Sequence, residues 1–571
     1  MCSSKRFHAV DLQDLFSALA RRRGALWIDR DEAGARSFMA FAPVAQLMIG
    51  SEDLARGSDP LDAIAAFVAA AEPLEDAPGQ LVPHVAGVLA YDLGLTIEPR
   101  ALASMGIDPR TPAVLLQRYD AVAVVTPSGF GDGTGQRVRP RGEVLGQAVG
   151  DTDRLTADAA AQRPPGDGSG PVRGDVAEPS SATGTGAGSA TTPARAPHPP
   201  SSVDLCVVAR RPEDLLAWDE LLAEVSRARA GAPPAESRRD AAVDARPRRS
   251  RERAGAPSAE SRRDGPAALP NPPGRPGEEP DRARHAAAVE RALEFIAAGD
   301  VYELNLASHF QTRSTLSPAD LYWRLRQAQR VPFGVFLPWE PVTLLCRSPE
   351  RFLAVAGATI LTQPIKGTRP RATAAAADRA LADELLASVK ERAEHVMVVD
   401  LERNDLGRVC GPGSVRVSSL ARLEEFRTVR HLVSTVEGRL RDEIGLRDIL
   451  RATFPGGSIT GAPKIRAMQL IAALEPRPRG LYTGCVIWFS SPRHFDSCIM
   501  IRSALALPPD PGAADRGRLW EYAVGGGIVA DSDPAQEVLE LWWKAGPFLS
   551  ATGPDVAALP ARPPASADTA G

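Results

Sequence analysis

Two long stretches with almost nothing to bury decide how much of this 571-residue chain can fold. From Pro127 to Pro200 the sequence turns to Gly, Ala, Pro, Ser, Thr and Arg with scarcely an aromatic residue, and from about Arg229 to Asp281 it is Arg- and Pro-rich with none. Such segments cannot offset the entropy of ordering by apolar burial. The expectation is a disordered insertion at 128–200, a disordered linker at 229–281 and a disordered Pro/Ala tail over 550–571. The linker holds an imperfect duplication, AGAPPAESRRD at 230–240 and AGAPSAESRRD at 254–264, too few copies for a solenoid. Order is left to an N-terminal region over 1–127, its continuation over 201–228, and a dense segment over 282–549.

Within those parts helical and extended patterns mix. Leu12 to Ala20, Pro60 to Ala71, Pro212 to Arg227 and His285 to Ala298 have helical spacing. Residues 24–28, 121–125, 205–208 and 301–310 read as strands. A net charge of -4 and a pI near 6.2 give no field for nucleic acid or an anionic membrane. The six cysteines, Cys2, Cys206, Cys346, Cys410, Cys485 and Cys498, form no Cys-x-x-Cys pair, against a zinc site or a disulfide framework. The N-terminus shows no apolar signal core, and no run reaches the ~20 apolar residues of a membrane helix. The reading is a cytoplasmic protein.

The chemistry concentrates in the dense segment, around LTQPIKGTRPR at 361–371. Pro364-Ile365 favours an extended approach to Lys366, and Gly367-Thr368 allows a tight turn beside it. Small and apolar neighbours desolvate an ammonium group and favour a nucleophilic neutral amine. Taken alone, an exposed turn lysine explains the stretch as well.

Four further features weigh on the choice. Glu391 and Glu394 are three apart in a segment of helical spacing, and so are Glu537 and Glu540, with Lys544 on the same face. The second helix, expected over Pro534 to Lys544, opens with Asp533 as N-cap, Pro534 at N1 and Gln536 at N3, a capping-box arrangement. Apolar runs flank both pairs, and carboxylates partly buried in this way need a cation; two such pairs with room for water suit Mg2+. Gly525-Gly526-Gly527 ends a strand and can offer backbone N–H groups to an anion. Arg502 places a guanidinium within an apolar strand at 499–502 and calls for a carboxylate partner. Finally, FPGGSITGAPKIRAM at 454–468 is a glycine-rich loop feeding a helix with Pro463 in its first turn, and its spacing does not fit a nucleotide phosphate loop.

Together these stretches resemble the chorismate-utilising family, which includes anthranilate synthase component I, aminodeoxychorismate synthase component I, and the isochorismate and salicylate synthases. The resemblance covers about 282–549 and implies an α+β fold: two large, mostly antiparallel sheets packed as a sandwich with helices outside. It implies Mg2+ between Glu394 and Glu540, with Glu391 and Glu537 close by, and the ring carboxylate of chorismate on the metal. Arg502 and Gly525, Gly526 and Gly527 would hold the enolpyruvyl carboxylate, with Tyr482 and Lys544 nearby. Lys366, Glu350, His431 and Thr460 match catalytic positions.

Pro-Ile-Lys-Gly-Thr resembles the aminodeoxychorismate enzymes, whereas anthranilate synthases usually carry Ala at the lysine position. This implies covalent catalysis by Lys366 with Glu350 as general acid, and 4-amino-4-deoxychorismate, the precursor of p-aminobenzoate and folate, as product. Isochorismate and salicylate synthases have a lysine where this chain has Glu303. The chain lacks a Gly-x-Cys-x-Gly glutaminase loop, so the resemblance implies ammonia from a separate glutamine amidotransferase subunit in a heterodimer. The rival readings are anthranilate formation and a non-catalytic subunit that binds chorismate or tryptophan.

Overall fold

Apolar runs that are continuous rather than alternating become strands covered on both faces. Leu26 and Ile28 point into the space between two sheets while Trp27 points toward helices outside, so the whole of Leu26–Asp29 is buried. The computed structural model describes residues 3–127, 202–230 and 282–553, apart from short segments at 31–35, 51–52, 55–58, 78–79, 99–107, 340–341, 427–428 and 508–516. The expected insertion, most of the linker with its duplication, and most of the tail lie outside the described residues.

The N-terminal strands are β1 (Ser3–Asp11), β2 (Leu26–Asp29), β3 (Ser37–Ala40), β4 (Ala45–Ile49), β5 (Leu74–Ala77), β6 (Gln80–Val82), β7 (Val85–Leu89), β8 (Val114–Arg118), β9 (Ala121–Pro127) and β10 (Ser202–Ala209). They are followed by β11 (Glu303–Ser314), β12 (Phe333–Trp339), β13 (Val342–Ser348), β14 (Arg351–Ala356), β15 (Thr359–Gln363), β16 (Ile365–Pro370), β17 (Arg416–Glu425) and β18 (Val429–Arg439). The last five are β19 (Gly461–Ala462), β20 (Cys485–Ser491), β21 (His494–Ile499), β22 (Ser503–Ala506) and β23 (Arg518–Ile528). One sheet has 11 strands in the order β1-β10-β9-β3-β2-β12-β13-β22-β23-β11-β19. The other has 10, in the order β16-β18-β15-β14-β21-β20-β7-β8-β4 with β17 on β18. Pairing within them is antiparallel. Both sheets run across the two ends of the sequence: β2 pairs β12 and β7 pairs β20.

Val335, Leu344 and Cys346 of the first sheet meet Val88, Trp488 and Cys498 of the second in the interior. Helices cover the outer faces, completing the α+β sandwich. α1 (Leu12–Leu19), α2 (Pro60–Ala69), α3 (Tyr91–Ile97), α4 (Leu216–Ala230), α5 (Arg282–Ala297) and α6 (Pro318–Ala328) precede the acid-bearing pair. α7 (Ala375–Ala387) and α8 (Val389–Gly407) come next, then α9 (Leu446–Thr453), α10 (Lys464–Leu474) and α11 (Pro534–Thr552). Phe16, Trp218, Tyr322 and Trp542 pack on the first sheet, and Ile64, Val399 and Leu450 on the second.

Two helix expectations change. Pro212–Leu215 is a 3-10 turn and the α-helix begins only at Leu216, a common way for a helix to start. α11 continues past Lys544 to Thr552 with Pro547 inside it, because burial of Phe548 and Ala551 outweighs the lost hydrogen bond.

Candidate active site

Lys366 lies in strand β16 against β18, where the register slips: Lys366 faces Leu432 and Thr368 faces His431, leaving Gly367 as a bulge with φ 71°. The expected tight turn is therefore a glycine bulge, which bends the strand while keeping it paired. A Cβ at Gly367 would stand 2.9 Å from Leu385 Cδ1 and 3.1 Å from Glu391 Oε2, so a side chain there has no room. The Lys366 ammonium is ion-paired with Glu303, which is 1% exposed at the start of β11. Burial alone would push this lysine toward the neutral amine, but Glu303, Glu394 and Glu350 outweigh it and raise its pKa above the ordinary lysine value. The expected depression of the lysine is thus reversed: three carboxylates surround one cation.

The glycine run explains how they gather. Gly525, Gly526 and Gly527 are not a loop but part of β23, paired with Ala307, Leu306 and Asn305 of β11. Pairing with β11 occupies one edge of the run, β22 reaches β23 only at Trp520 to Tyr522, and the missing side chains leave room on both faces. A Cβ on Gly527 would lie 2.5 Å from Glu303 Oε1 and 3.0 Å from Lys366 Nζ; one on Gly526 would lie 3.1 Å from Glu537 Oε2 and 3.8 Å from Glu540 Oε1. Two adjacent glycines therefore leave room for the α11 carboxylates on one face of the strand and for the lysine site on the other.

The four acids arrive as two pairs. α8 starts at Ser388, whose hydroxyl accepts from the Glu391 N–H, and presents Glu391 and Glu394 one turn later. α11 starts at Asp533, which accepts from the Gln536 N–H, and presents Glu537 and Glu540. Burial, against the pull of Lys366 and with Glu303 and Glu391 nearby, raises Glu394 to about 7; burial and Glu540 also raise Glu537. Lys390 acts on both Glu394 and Glu537, so the pairs are neighbours. Among the described residues no three Asp, Glu, His or Cys side chains converge as a ready metal cage. The donors still fit Mg2+, which takes one or two carboxylates and keeps its waters, and a cation there would relieve the charge crowding that raises Glu394 and Glu537. Glu391 and Glu540 already have partners: Arg369 Nη1 donates to Glu391 Oε1 at 3.0 Å, and Lys544 Nζ lies 2.6 Å from both Glu540 Oε1 and the Gly525 carbonyl.

Glu350 and Arg502 sit where the chain passes from one sheet to the other. Glu350 links β13 to β14, and Arg502 links β21 to β22. The two links run side by side, with the Arg347 N–H donating to the Arg502 carbonyl and the Ile499 N–H to the Glu350 carbonyl. Arg502 is therefore not within a strand, as expected; its φ of 54° is a left-handed turn that non-glycine residues seldom adopt. Its guanidinium donates to the Lys544 carbonyl at 3.1 Å. Burial pushes Glu350 up to about 7, against hydrogen bonds from Ser458 and the Ile365 N–H and the pull of Lys366.

The remaining candidates separate. Tyr482 is next to Thr483, another left-handed residue (φ 61°), and burial raises its phenol. His431 is buried with Nδ1 2.9 Å from Thr368 Oγ1; burial and Arg502 lower it to about 4, which keeps the ring neutral. Thr460 is fully buried, and its hydroxyl donates to the Gly456 and Gly457 carbonyls, so it shapes the glycine-rich loop rather than presenting an oxygen to a substrate. Pro463 caps α10 instead of lying in its first turn. Sequence reasoning missed two contributors. Glu303 appeared only as a position that differs between subfamilies, although a glutamate in Tyr-Glu-Leu-Asn-Leu at strand spacing is the signal of a buried acid. Asn305, two residues on and directly opposite Gly527, has a buried amide nitrogen with no hydrogen-bond partner among the described residues.

Residues 210–550 match the family described as chorismate binding enzyme. Aminodeoxychorismate synthase component 1 of Bacillus subtilis is 42% identical over 258 residues, covering 45% of this chain and 53% of that protein. An anthranilate synthase component 1 of Haloarcula marismortui is 43% identical over 264 residues, covering 46% and 48%. The chain thus spans about half the length of the curated relatives it matches. In structure, anthranilate synthase component I from Streptococcus pneumoniae superposes with a TM-score of 0.57 at 23% identity over 90% of this chain and 93% of that one. The menaquinone-specific isochorismate synthase MenF from Escherichia coli superposes with a TM-score of 0.56 at 15% identity over 97% and 95%. These likenesses place the fold.

Proposed function

The chain belongs to the chorismate binding enzyme family, and from that premise we propose that it aminates chorismate at C4 to form 4-amino-4-deoxychorismate. The observation that carries this reading is Lys366, held among Glu303, Glu394 and Glu350 beside the bare backbone of Gly527. Relatives named aminodeoxychorismate synthase component 1, such as the Bacillus subtilis protein, support the same choice.

The residues divide the work as follows. Arg502, with Tyr482, Lys544 and the Gly525–Gly527 backbone, holds the enolpyruvyl carboxylate. Lys366 starts as an ammonium paired with Glu303; transfer of its proton to Glu303 yields the amine. That amine bonds to C2 while the C4–O bond breaks, and Glu350, protonated near neutrality, gives its proton to the departing hydroxyl, which leaves as water. Ammonia then bonds to C4 as the C2–N bond breaks, and Lys366 is released. Glu394 and Glu540, with Glu391 and Glu537 beside them, would hold Mg2+, which would supply positive charge for the ring carboxylate. His431, neutral and hydrogen-bonded to Thr368, orients the strand that carries Lys366. A separate glutamine amidotransferase subunit is the proposed source of ammonia.

The test is product identification by mass spectrometry after mixing the protein with chorismate, Mg2+ and ammonium, with an aminodeoxychorismate lyase added to half. p-Aminobenzoate only in the lyase half supports amination at C4. Anthranilate in both halves would instead favour the reaction named for the Haloarcula marismortui relative, and binding without turnover would favour a non-catalytic subunit.

A further inference from the structure

β11 has two edges with different fates. One pairs with the glycine run of β23 along its whole length; the other is covered by β19 only at Glu303 and Leu304. Beyond that point successive N–H groups on the open edge find other acceptors: Asn305 donates to the Thr460 carbonyl at 2.9 Å and Ala307 to Glu475 Oε1 at 3.0 Å. The pairing register of β11 is unbroken, so the two-residue alternation turns the His309 N–H to the same edge. There the strand, α5 and the segment after α10 line an open-mouthed cavity of about 180 Å³. None of its lining residues belongs to the candidate active site.

The walls are chemically divided. Ala288, Leu306, Leu474 and Pro476 make an apolar part, and Arg284 and Arg477 a polar, guanidinium-bearing part in which Arg477 Nη1 also donates to Glu521 Oε2 at 3.0 Å. Glu475, the acid in the wall, is already neutralised by Arg479, which contacts both its oxygens at 2.6 to 3.1 Å. His309 also lines the cavity, with its side chain only 6% exposed. Neither ring nitrogen has a hydrogen-bond partner among the described residues; Nδ1 lies 3.4 Å from Glu521 Oε1, and a ring proton on that side would leave Nε2 as an acceptor. That Nε2 is buried with no hydrogen-bond partner among the described residues, a cost a ligand donor would remove.

We propose that this cavity is a second binding site, for a single-ring carboxylic acid bearing an amino or hydroxyl donor. The carboxylate meets Arg284 and Arg477, the ring lies on the apolar wall, and the donor reaches His309 Nε2. The size agrees with the ligand, since an apolar cavity of roughly 150 Å³ accepts a benzene ring. The site stands independently of the amination reading.

Titration calorimetry of the full chain with 4-aminobenzoate tests it, with benzoate and benzylamine as comparison probes. Benzoate, lacking the donor, should bind about fivefold more weakly, and benzylamine, carrying the opposite charge, should give no binding. Ala288→Trp fills the cavity from α5 and should weaken 4-aminobenzoate at least about tenfold, while Arg502→Met, in the other site, should leave it within about twofold. If Ala288→Trp folds poorly, His309→Phe keeps a ring but removes the acceptor and should reduce 4-aminobenzoate to the affinity of benzoate. Undiminished binding in the folded cavity variants, loss of binding in Arg502→Met, equal binding of benzylamine, or no binding of 4-aminobenzoate at millimolar concentration would each overturn the proposal.

Discussion

Lys366 and Lys464 occupy nearly the same kind of sequence, each just after a proline and close to a glycine, yet the molecule uses them differently. Lys464 is paired with buried Asp405 and also donates to the Thr453 carbonyl at 3.2 Å and the Pro455 carbonyl at 2.9 Å. All three ammonium donors are committed to holding the glycine-rich loop. Lys366 has Glu303 as its hydrogen-bond partner among the described residues, and its other neighbours are carboxylates acting through charge. A lysine whose protons end on backbone carbonyls is part of the scaffold. One whose partners are carboxylates is held as an ammonium by their charge, and its amine is released only when that charge is drawn elsewhere.

The widest gap between the two should come from deleting each amine. Lys366→Ala should reduce formation of 4-amino-4-deoxychorismate at least about 1000-fold, or redirect it, with little change in melting temperature. Unchanged product by mass spectrometry would erase the distinction. Lys464→Met should act in the opposite sense, costing about 3–5 kcal/mol in denaturant unfolding because Asp405 is left buried without its cation. A wild-type unfolding midpoint for that variant would show that the loop does not depend on this lysine.

Acid strength sharpens the contrast further. Burial raises Glu350 to about 7 from an ordinary carboxyl value of 4.5, so the proton donor beside Lys366 should be lost as pH rises through about 7. kcat/KM should fall across that range, and a profile flat to pH 9 would remove Glu350 from the role. The same raised value means that any stability tied to its protonated form is complete below pH 4.5 and lost as pH climbs toward 7. The smallest effect concerns Arg502: Arg502→Lys keeps the charge but not the planar fork, and should raise KM for chorismate roughly tenfold with a lesser change in kcat. A lower kcat at constant KM would point to a role in the reaction rather than in holding the substrate.

The acid pairs were readable because helix spacing alone puts Glu391 with Glu394 and Glu537 with Glu540, and Asp533 marks where the second helix starts. Sequence could not show that α8 and α11, far apart in the chain, bring those pairs close enough for Lys390 to act on both Glu394 and Glu537; that follows from the fold. Gly367 was legible as a special backbone position but not as a bulge, since a bulge is defined by its partner strand. Arg502 looked like a strand residue because apolar residues precede it, and nothing local announces that the chain changes sheets there. The sign of the Lys366 shift was misjudged for a related reason. Its immediate neighbours are small and apolar, whereas the acids that control it come from β11, α8 and the β13–β14 link.

That change of sheets has a mechanical consequence. The β13–β14 and β21–β22 links are hydrogen-bonded to each other above and below the bend, through β13–β22 pairing in one sheet and β14–β21 pairing in the other. Glu350 and Arg502 thus ride on one ribbon and keep a fixed spacing, like the two jaws of a calliper cut from one piece. Lys366 hangs from β16 at the far edge of the second sheet. Because the Glu350 carboxyl also accepts from the Ile365 N–H, the same ribbon is tied to the strand that carries the lysine.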